Sequence, residues 1–144
     1  MTYNPDGWRV ELVSDVTADD SDKSFVVRDN NEWQVLWIWV ELTTTAAVGN
    51  RQLVVEVLDG GVTLIGQWAR AGAVQAASLT RYYLFAPTGL DLEAFRDTNY
   101  LSCAMPAALF LKAGDWLRVY DRAAIAPAAD DMLVYCQMAQ RSIV

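Results

Sequence analysis

Apolar and polar residues alternate along much of the chain with a period of two. From Trp8 to Leu12, apolar residues occupy every second position and charged residues stand between them. Because successive side chains of a strand point to opposite faces of a sheet, such a segment predicts a strand with one buried face. The segments with strand character are 8–12, 23–28, 33–44, 51–59, 62–70, 78–85, 100–105, 116–120 and 132–138.

The predicted strands are separated by residues that favour turns. Asp59-Gly60-Gly61 lies between segments 51–59 and 62–70 and is typical of a tight β-hairpin. Residues 90–97 suit a helical turn, whereas Pro127 interrupts the alanine-rich stretch that precedes the last strand. About nine strands without alternating helices predict an all-β fold, an antiparallel β-sandwich that is jelly-roll-like, with at most short helical turns. No linker or repeat interrupts the pattern, so a single domain is predicted over residues 1–144.

The longest predicted strand, 33–44, is apolar on both of its faces. Strict alternation places Trp33, Val35, Trp37 and Trp39 on one side and Leu36, Ile38, Val40 and Leu42 on the other. In a sandwich one face of a strand fills the core and the other is normally polar. The second face must therefore be covered, either by other segments of the chain or by another subunit.

Composition strengthens the case for a protein partner. Hydrophobic residues make up 53% of the chain, above the roughly 45–50% of typical domains. The chain has six Trp and six Tyr, the residue types that are enriched where protein surfaces meet.

Charge argues against nucleic acids and membranes as partners. Eleven Lys and Arg against 18 Asp and Glu give a net charge of −7, and the basic residues are scattered singly. A nucleic-acid ligand normally requires a basic patch, so DNA and RNA are not expected as direct ligands. No apolar run approaches the about 18 residues of a membrane span, and the first residues lack a secretory signal pattern, so we expect synthesis in the cytoplasm.

The residues that carry most catalysis are missing from the sequence. The chain has no histidine, which excludes Ser-His-Asp and Cys-His catalysis and imidazole ligands for metals. Cys103 and Cys136 stand far apart in predicted strands and are interpreted as buried, reduced thiols. Glycine-rich phosphate-binding motifs are also absent. The sequence therefore predicts neither an enzyme nor a bound cofactor or metal.

The acidic residues carry one open question. Asp15, Asp19, Asp20 and Asp22 could offer oxygen ligands to calcium, but the spacing of an EF-hand is lacking. Turn capping and solvation are the preferred interpretation, and the pair Asp130-Asp131 is likewise interpreted as a turn before the last strand.

The chain resembles small structural proteins from the virion modules of tailed bacteriophages. The segments that carry the resemblance are Trp39-Val40-Glu41-Leu42-Thr43-Thr44-Thr45-Ala46, Val48-Gly49-Asn50-Arg51-Gln52-Leu53-Val54-Val55, Arg70-Ala71-Gly72-Ala73, Ala76-Ala77-Ser78-Leu79-Thr80-Arg81-Tyr82-Tyr83-Leu84-Phe85-Ala86-Pro87, Leu111-Lys112-Ala113-Gly114-Asp115-Trp116-Leu117-Arg118-Val119-Tyr120-Asp121 and Ala129-Asp130-Asp131-Met132. Within that group the chain is most like a capsid decoration, or cement, protein. The resemblance implies a homotrimer that binds the major capsid protein on the capsid exterior and stabilises the shell.

Two other functions remain open from the sequence. A tail or head-tail connector component is the first alternative, since similar β domains occur there. A carbohydrate-binding β-sandwich is the second, because exposed tryptophans can stack on sugars.

The candidate contact residues follow from the decoration hypothesis. The aromatic candidates are Trp8, Trp33, Trp37, Trp39, Tyr82, Tyr83, Phe95, Trp116 and Tyr120, and the candidates for charged pairs at the rim are Arg51, Arg81 and Arg96. Core packing is the alternative role for each aromatic residue.

Overall fold

A computed structural model describes residues 7–87, 93–123 and 125–143, with the backbone alone at Gln67 and Glu93. The strands are β1 (Arg9–Asp15), β2 (Lys23–Val26), β3 (Asn31–Thr43), β4 (Leu53–Asp59), β5 (Thr63–Arg70), β6 (Thr80–Ala86), β7 (Glu93–Ala94), β8 (Tyr100–Ala104), β9 (Leu109–Leu111), β10 (Asp115–Asp121) and β11 (Asp131–Ser142). In the described part of the predicted helical turn at 90–97, Glu93 and Ala94 form β7 instead, while residues 90–92 lie outside the described residues. Within the described ranges no helix has the length and apolar character needed to cross a bilayer.

The strands form two sheets with the connectivity of a jelly roll. One sheet has the order β1-β11-β3-β6-β8-β7, with β9 also paired to β3, and the other has the order β2-β10-β4-β5. The pairs β1–β11, β2–β10, β3–β6 and β4–β5 are nested one inside the next, as in a long hairpin folded over on itself. This arrangement confirms the predicted all-β, jelly-roll-like sandwich. The pairing of β6 with β8 is parallel, which the sequence pattern did not predict.

The core lies between the two sheets and takes alternate residues from most strands, whereas β4 is buried at every position from Leu53 to Leu58. On β3, Ile38, Val40 and Leu42 are fully buried, and on β10 burial alternates at every position. Cys103 and Cys136 are both buried, as predicted, and burial raises the pKa of Cys136 to about 12. Since a thiol that stays protonated is a poor nucleophile, Cys136 serves packing.

A β-bulge in β3 corrects the predicted division of its faces. Trp37 pairs with Gln137 and Val35 pairs with Met138, so Leu36 is an extra residue without an opposite partner. A bulge of this kind shifts the alternation by one residue. Trp33 and Val35 therefore point into the core, while Trp37 and Trp39 point away from it, and the prediction that all four share a face was wrong.

The predicted hairpin is present as β4 and β5. Its turn contains Gly60 and Gly61, whose φ angles are 61° and 74°. A Cβ atom on Gly61 would lie 2.6 Å from the Trp116 ring, so both the backbone conformation and the space require glycine there.

Candidate functional site

The outer face of the seven-stranded sheet, the side turned away from the other sheet, carries an open apolar groove. The groove has a volume of about 450 Å³ and is lined by Leu12, Leu36, Trp37, Trp39, Leu84, Ala86 and Tyr135. These residues come from β1, β11, β3 and β6, which are neighbours in the sheet. At the β1 edge, Val10 and Leu12 are 59% and 56% exposed, so the apolar surface continues to the end of the sheet.

An aromatic cluster, formed by Trp39, Tyr82, Phe95 and Tyr100, adjoins the groove. The Tyr82 and Tyr100 rings are stacked at 4.5 Å, and the Trp39 ring centre lies 5.8 Å from that of Tyr82. Phe95 meets Tyr100 edge-on at 5.5 Å, and the Arg96 guanidinium lies 5.1 Å from the Tyr100 ring centre. Offset stacks and edge contacts of this kind hold aromatic rings in fixed positions. The cluster is therefore an ordered surface even though its members are partly exposed.

The structure brings several of the predicted contact residues together on the outer face. Trp37, Trp39, Tyr82 and Phe95 all lie in the groove or in the aromatic cluster. The Trp37 indole N–H donates to Gln137 Oε1 at 2.6 Å, which fixes the ring across the sheet. These four of the twelve predicted contact residues thus form one continuous surface.

Other predicted contact residues lie elsewhere on the surface. Trp8 stands just before β1, with the Arg141 guanidinium 4.6 Å from its ring centre. Trp116 and Tyr120 belong to β10 in the smaller sheet, where Arg118 packs over the Tyr120 ring at 4.7 Å. Arg81 donates to the carbonyl oxygen of Val74 at 3.1 Å.

Three of the predicted contact residues are interior, which corrects their assignment to a surface. Trp33 is 4% exposed and donates to Gln140 Oε1, because the bulge in β3 turns it inward. Tyr83 is 1% exposed, and its hydroxyl donates to Gln75 Oε1 at 2.9 Å. Arg51 is fully buried, so it cannot form a charged pair at a rim.

Arg51 instead belongs to a buried carboxylate cluster, formed with Asp20, Asp121 and Asp130. Its Nε donates to Asp130 Oδ2 at 2.7 Å and its Nη2 to Asp130 Oδ1 at 3.1 Å. Both side chains of this pair are completely shielded from solvent. Burial raises the pKa of Asp130, but hydrogen bonds from Arg51 and Thr45 outweigh burial and hold that pKa below its ordinary value.

The carboxylates of Asp20 and Asp121 accept fewer hydrogen bonds from the described residues than the carboxylate of Asp130 does. Among the described residues, none donates a hydrogen bond to either carboxylate oxygen of Asp20, although Asp20 is only 4% exposed. In Asp121, Oδ1 accepts the backbone N–H groups of Gln52 and Ala123, while Oδ2 is buried and has no donor in the same described part of the chain. Burial and the facing Asp121 carboxylate raise the pKa of Asp20 to about 8, since two adjacent negative charges are unfavourable and a proton on Asp20 would bond to Asp121.

The remaining acids of the β1–β2 loop behave as the sequence predicted. Asp15 accepts the N–H of Thr17 and Asp19 accepts the N–H of Ser21, both at 3.1 Å, so they cap turns. Hydrogen bonds from Ser21 and Lys23 lower the pKa of Asp19 to about 2. Asp20 differs from these neighbours because its side chain is turned inward.

The pattern of residues did not identify the carboxylate cluster as a unit. One signal was available in the sequence, since Arg51 stands two residues before the apolar run Leu53-Val54-Val55, an unusual place for a lone charge. Charges next to buried strands normally require an opposite charge, but nothing in the sequence identifies Asp130 as that charge.

Comparison with known proteins finds only distant structural likenesses. No protein-family model and no curated protein matches the sequence. Among solved structures, turnip yellow mosaic virus shares 8% identity at a TM-score of 0.38, covering 100% of this chain and 86% of that chain. The tobacco streak virus coat protein shares 9% at 0.36, covering 100% of this chain and 92% of that chain. The CBM22-1–GH10 modules of Clostridium thermocellum xylanase 10B, solved with xylohexaose, share 10% at 0.32, covering 95% and 26% respectively.

These likenesses are too distant to carry a function. The strand order itself shows a jelly roll, a class that includes viral capsid and lectin domains. Because one fold hosts many functions, the function must be argued from the surface of this chain.

Proposed function

We propose that the protein is a non-enzymatic virion structural protein, a capsid decoration protein that binds the outside of a phage capsid as a homotrimer and stabilises the shell. The observation that carries the proposal is the apolar outer face of the seven-stranded sheet, with its groove and aromatic cluster. Its partner in the proposal is the major capsid protein.

The groove residues would gain free energy from being covered by a partner. Full burial of one large apolar side chain is favourable by roughly 1.5–3 kcal/mol. Trp37, Trp39 and Leu12 are only partly buried in the chain itself, so a partner that covers them gains a large part of that free energy. Contiguous apolar surface on a folded protein is typical of a protein-binding site.

The choice of partner follows from charge. With a net charge of −7, the chain is repelled by packaged DNA and is drawn to less acidic surfaces. The groove is lined by aliphatic and aromatic side chains, so it is best covered by a less acidic protein surface. An outward position on the shell meets both conditions.

The trimer is supported by the resemblance to tailed-phage virion proteins and is compatible with this use of the outer face. A ring of three requires two different patches on each subunit, since the contact is head-to-tail. A single face packed against its own copy would instead give a dimer. The outer face is therefore free to bind the shell while other surfaces form the trimer.

A binding experiment tests the proposal. The purified chain is examined by light scattering and then mixed with expanded capsid shells, and the bound fraction is measured by sedimentation. We expect a trimer that is retained on shells in multiples of three. A stable monomer that does not bind shells would rule out the decoration role, and binding to tails or connectors instead would favour the tail or connector alternative.

Substitution of Trp39 sharpens the test. Trp39→Ser removes the ring shared by the groove and the aromatic cluster, and we expect affinity for shells to fall about 30-fold, as for a central contact residue. Trp68→Ser is the matched control, because Trp68 is 36% exposed on β5 in the other sheet. Equal losses in the two variants would show that the outer face is not the contact.

A carbohydrate-binding role is the second candidate, and the aromatic cluster is the observation that favours it. Stacked, partly exposed rings beside Arg96 could receive a sugar ring. A glycan array measures this directly, and a clear hit that is lost in Trp39→Ser would favour sugar binding over shell binding.

A further inference from the structure

One end of the sandwich, here called the loop end, buries more negative than positive charge. It contains Asp20 from the β1–β2 loop, Arg51 before β4, Asp121 at the end of β10 and Asp130 before β11. Each of these residues is at most 5% exposed. Three carboxylates face one guanidinium, and that guanidinium is committed to Asp130.

The oxygen atoms of this cluster converge. One carboxylate oxygen from each of Asp20, Asp121 and Asp130 lies within 4.8 Å of the other two. Both oxygens of Asp20 and Oδ2 of Asp121 are buried and accept no hydrogen bond from any residue that the structure describes. Buried carboxylates without donors are costly, and such groups are normally paired or coordinate a metal ion.

The nearest lysine in the sequence does not supply the missing charge. Lys23 is fully buried, but its ammonium donates to the carbonyl oxygen of Thr17 and to Asp19 Oδ1, both at 2.9 Å. Its third contact is the Ser21 hydroxyl at 3.5 Å. Lys23 therefore organises the outer part of the loop, and Asp20 faces the opposite way.

We propose that Asp20, Asp121 and Asp130 bind one calcium ion at the loop end. Carboxylate oxygens are hard ligands and suit calcium or magnesium rather than a softer metal. The three oxygens lie within 4.8 Å of one another, close enough to share one ion. Mg²⁺ usually keeps several water ligands and is seldom held by protein groups alone, whereas Ca²⁺ accepts about six to eight oxygen ligands, so an enclosed set of three carboxylates favours calcium.

Calcium bound in this position joins segments that are distant in the sequence. The backbone already aligns them, since the N–H of Asp20 donates to the carbonyl oxygen of Pro127 and that of Met132 to the carbonyl oxygen of Asp19. The ion adds a link between this loop and the end of β10. The inference rests on the loop end alone and is independent of the outer face and its partner.

Calorimetry and thermal melting test the proposal. The chain is stripped with EDTA and titrated with calcium, and its melting temperature is followed in both conditions. We expect one ion per chain and a rise in melting temperature of roughly 5–10 °C at a calcium concentration about 100 times Kd. No uptake at millimolar calcium would overturn the site and leave a proton as the occupant of the cluster.

Two substitutions at the site separate binding from folding. Asp20→Asn should abolish calcium uptake yet melt in EDTA no lower than the unsubstituted chain at neutral pH, because the amide, like the protonated Asp20 carboxyl of the metal-free chain, is uncharged and can donate to Asp121. Asp121→Asn should also abolish uptake, and its new amide can donate a hydrogen bond to Asp20. Calcium uptake that survives both changes would refute the assignment.

Two controls define specificity. Asp22→Asn should bind calcium normally, because Asp22 is 52% exposed in the same loop and pairs with Arg118. Magnesium should give a smaller shift in melting temperature than calcium. An equal or larger shift with magnesium would overturn the choice of calcium.

Discussion

The outer face and the loop end depart from the usual distribution of side chains in opposite ways. The outer face leaves tryptophan, leucine and tyrosine side chains partly in water, whereas the loop end buries three carboxylates. Each arrangement is unfavourable in an isolated molecule. Both are held in place by the sheets, which fix the side chains whether or not a partner is present.

The two regions suit different kinds of partner. An apolar surface is stabilised by another surface that excludes water, so the outer face suits the proposed protein partner. A buried negative cluster is stabilised by a small positive charge, so the loop end suits the proposed ion. Shape agrees with this division, since the groove is open and the carboxylate cluster is enclosed.

The largest effect on stability is expected from Arg51. Arg51→Met removes the guanidinium and leaves Asp130 unpaired beside Asp20 and Asp121, so the free energy of unfolding should fall by about 3–5 kcal/mol. Chemical denaturation measures the loss. Arg96→Met, at an exposed position on the aromatic cluster, should cost less than about 1 kcal/mol. If the two substitutions cost the same, the buried pair does not organise the loop end.

Much of the fold was predictable from the sequence because alternation is a local property. Every predicted strand has a counterpart in the structure, and the Asp59-Gly60-Gly61 turn closes a hairpin as expected. The short strands β7 and β9 were missed. Leu109–Leu111 has only three residues, too few for a period to be recognised, and pairs with β3 through tertiary context.

The bulge at Leu36 shows why faces are harder to predict than strands. Residues 35–40 form an unbroken apolar run, and nothing local marks Leu36 as the extra residue. The bulge is set by the register with β11, which lies about a hundred residues further along the chain. The sequence therefore indicated correctly that both faces of the strand are apolar. It placed Trp33 on the same face as Trp37 and Trp39, whereas Trp33 points into the core.

The candidate sites divide in the same way. An apolar contact surface on the outer face was predictable, because the tryptophans at positions 37 and 39 belong to a strand that is apolar on both faces. The loop end was not, since Asp20 and Asp130 meet only when the nested hairpin folds. Their neighbours in the sequence, such as Asp19 and Asp131, are equally acidic, so composition cannot identify the buried members.

A smaller effect is expected from two adjacent tyrosines that point to opposite sides of the sheet. Tyr83→Phe leaves Gln75 Oε1 buried without its donor, so the free energy of unfolding should fall by about 1–2 kcal/mol. Tyr82→Phe alters a hydroxyl on the aromatic cluster and should change it by less than about 0.5 kcal/mol. Denaturant titration of both variants compares the two faces directly, and equal losses would contradict the inward assignment of Tyr83.

The smallest effect on the stability of the isolated chain is expected at Leu12, on the edge of the groove. Because Leu12 is 56% exposed, Leu12→Glu should change the free energy of unfolding by no more than about 0.5 kcal/mol. The same change places a charge against the proposed partner, so affinity for shells should fall about tenfold or more, as sedimentation would show. Val48→Glu is the control, since Val48 is 93% exposed and lies outside the groove. A single substitution thus tests folding and binding separately. If Leu12→Glu folds normally but does not bind shells, the proposed contact on the outer face is supported. Normal binding by Leu12→Glu would show that the contact lies away from β1.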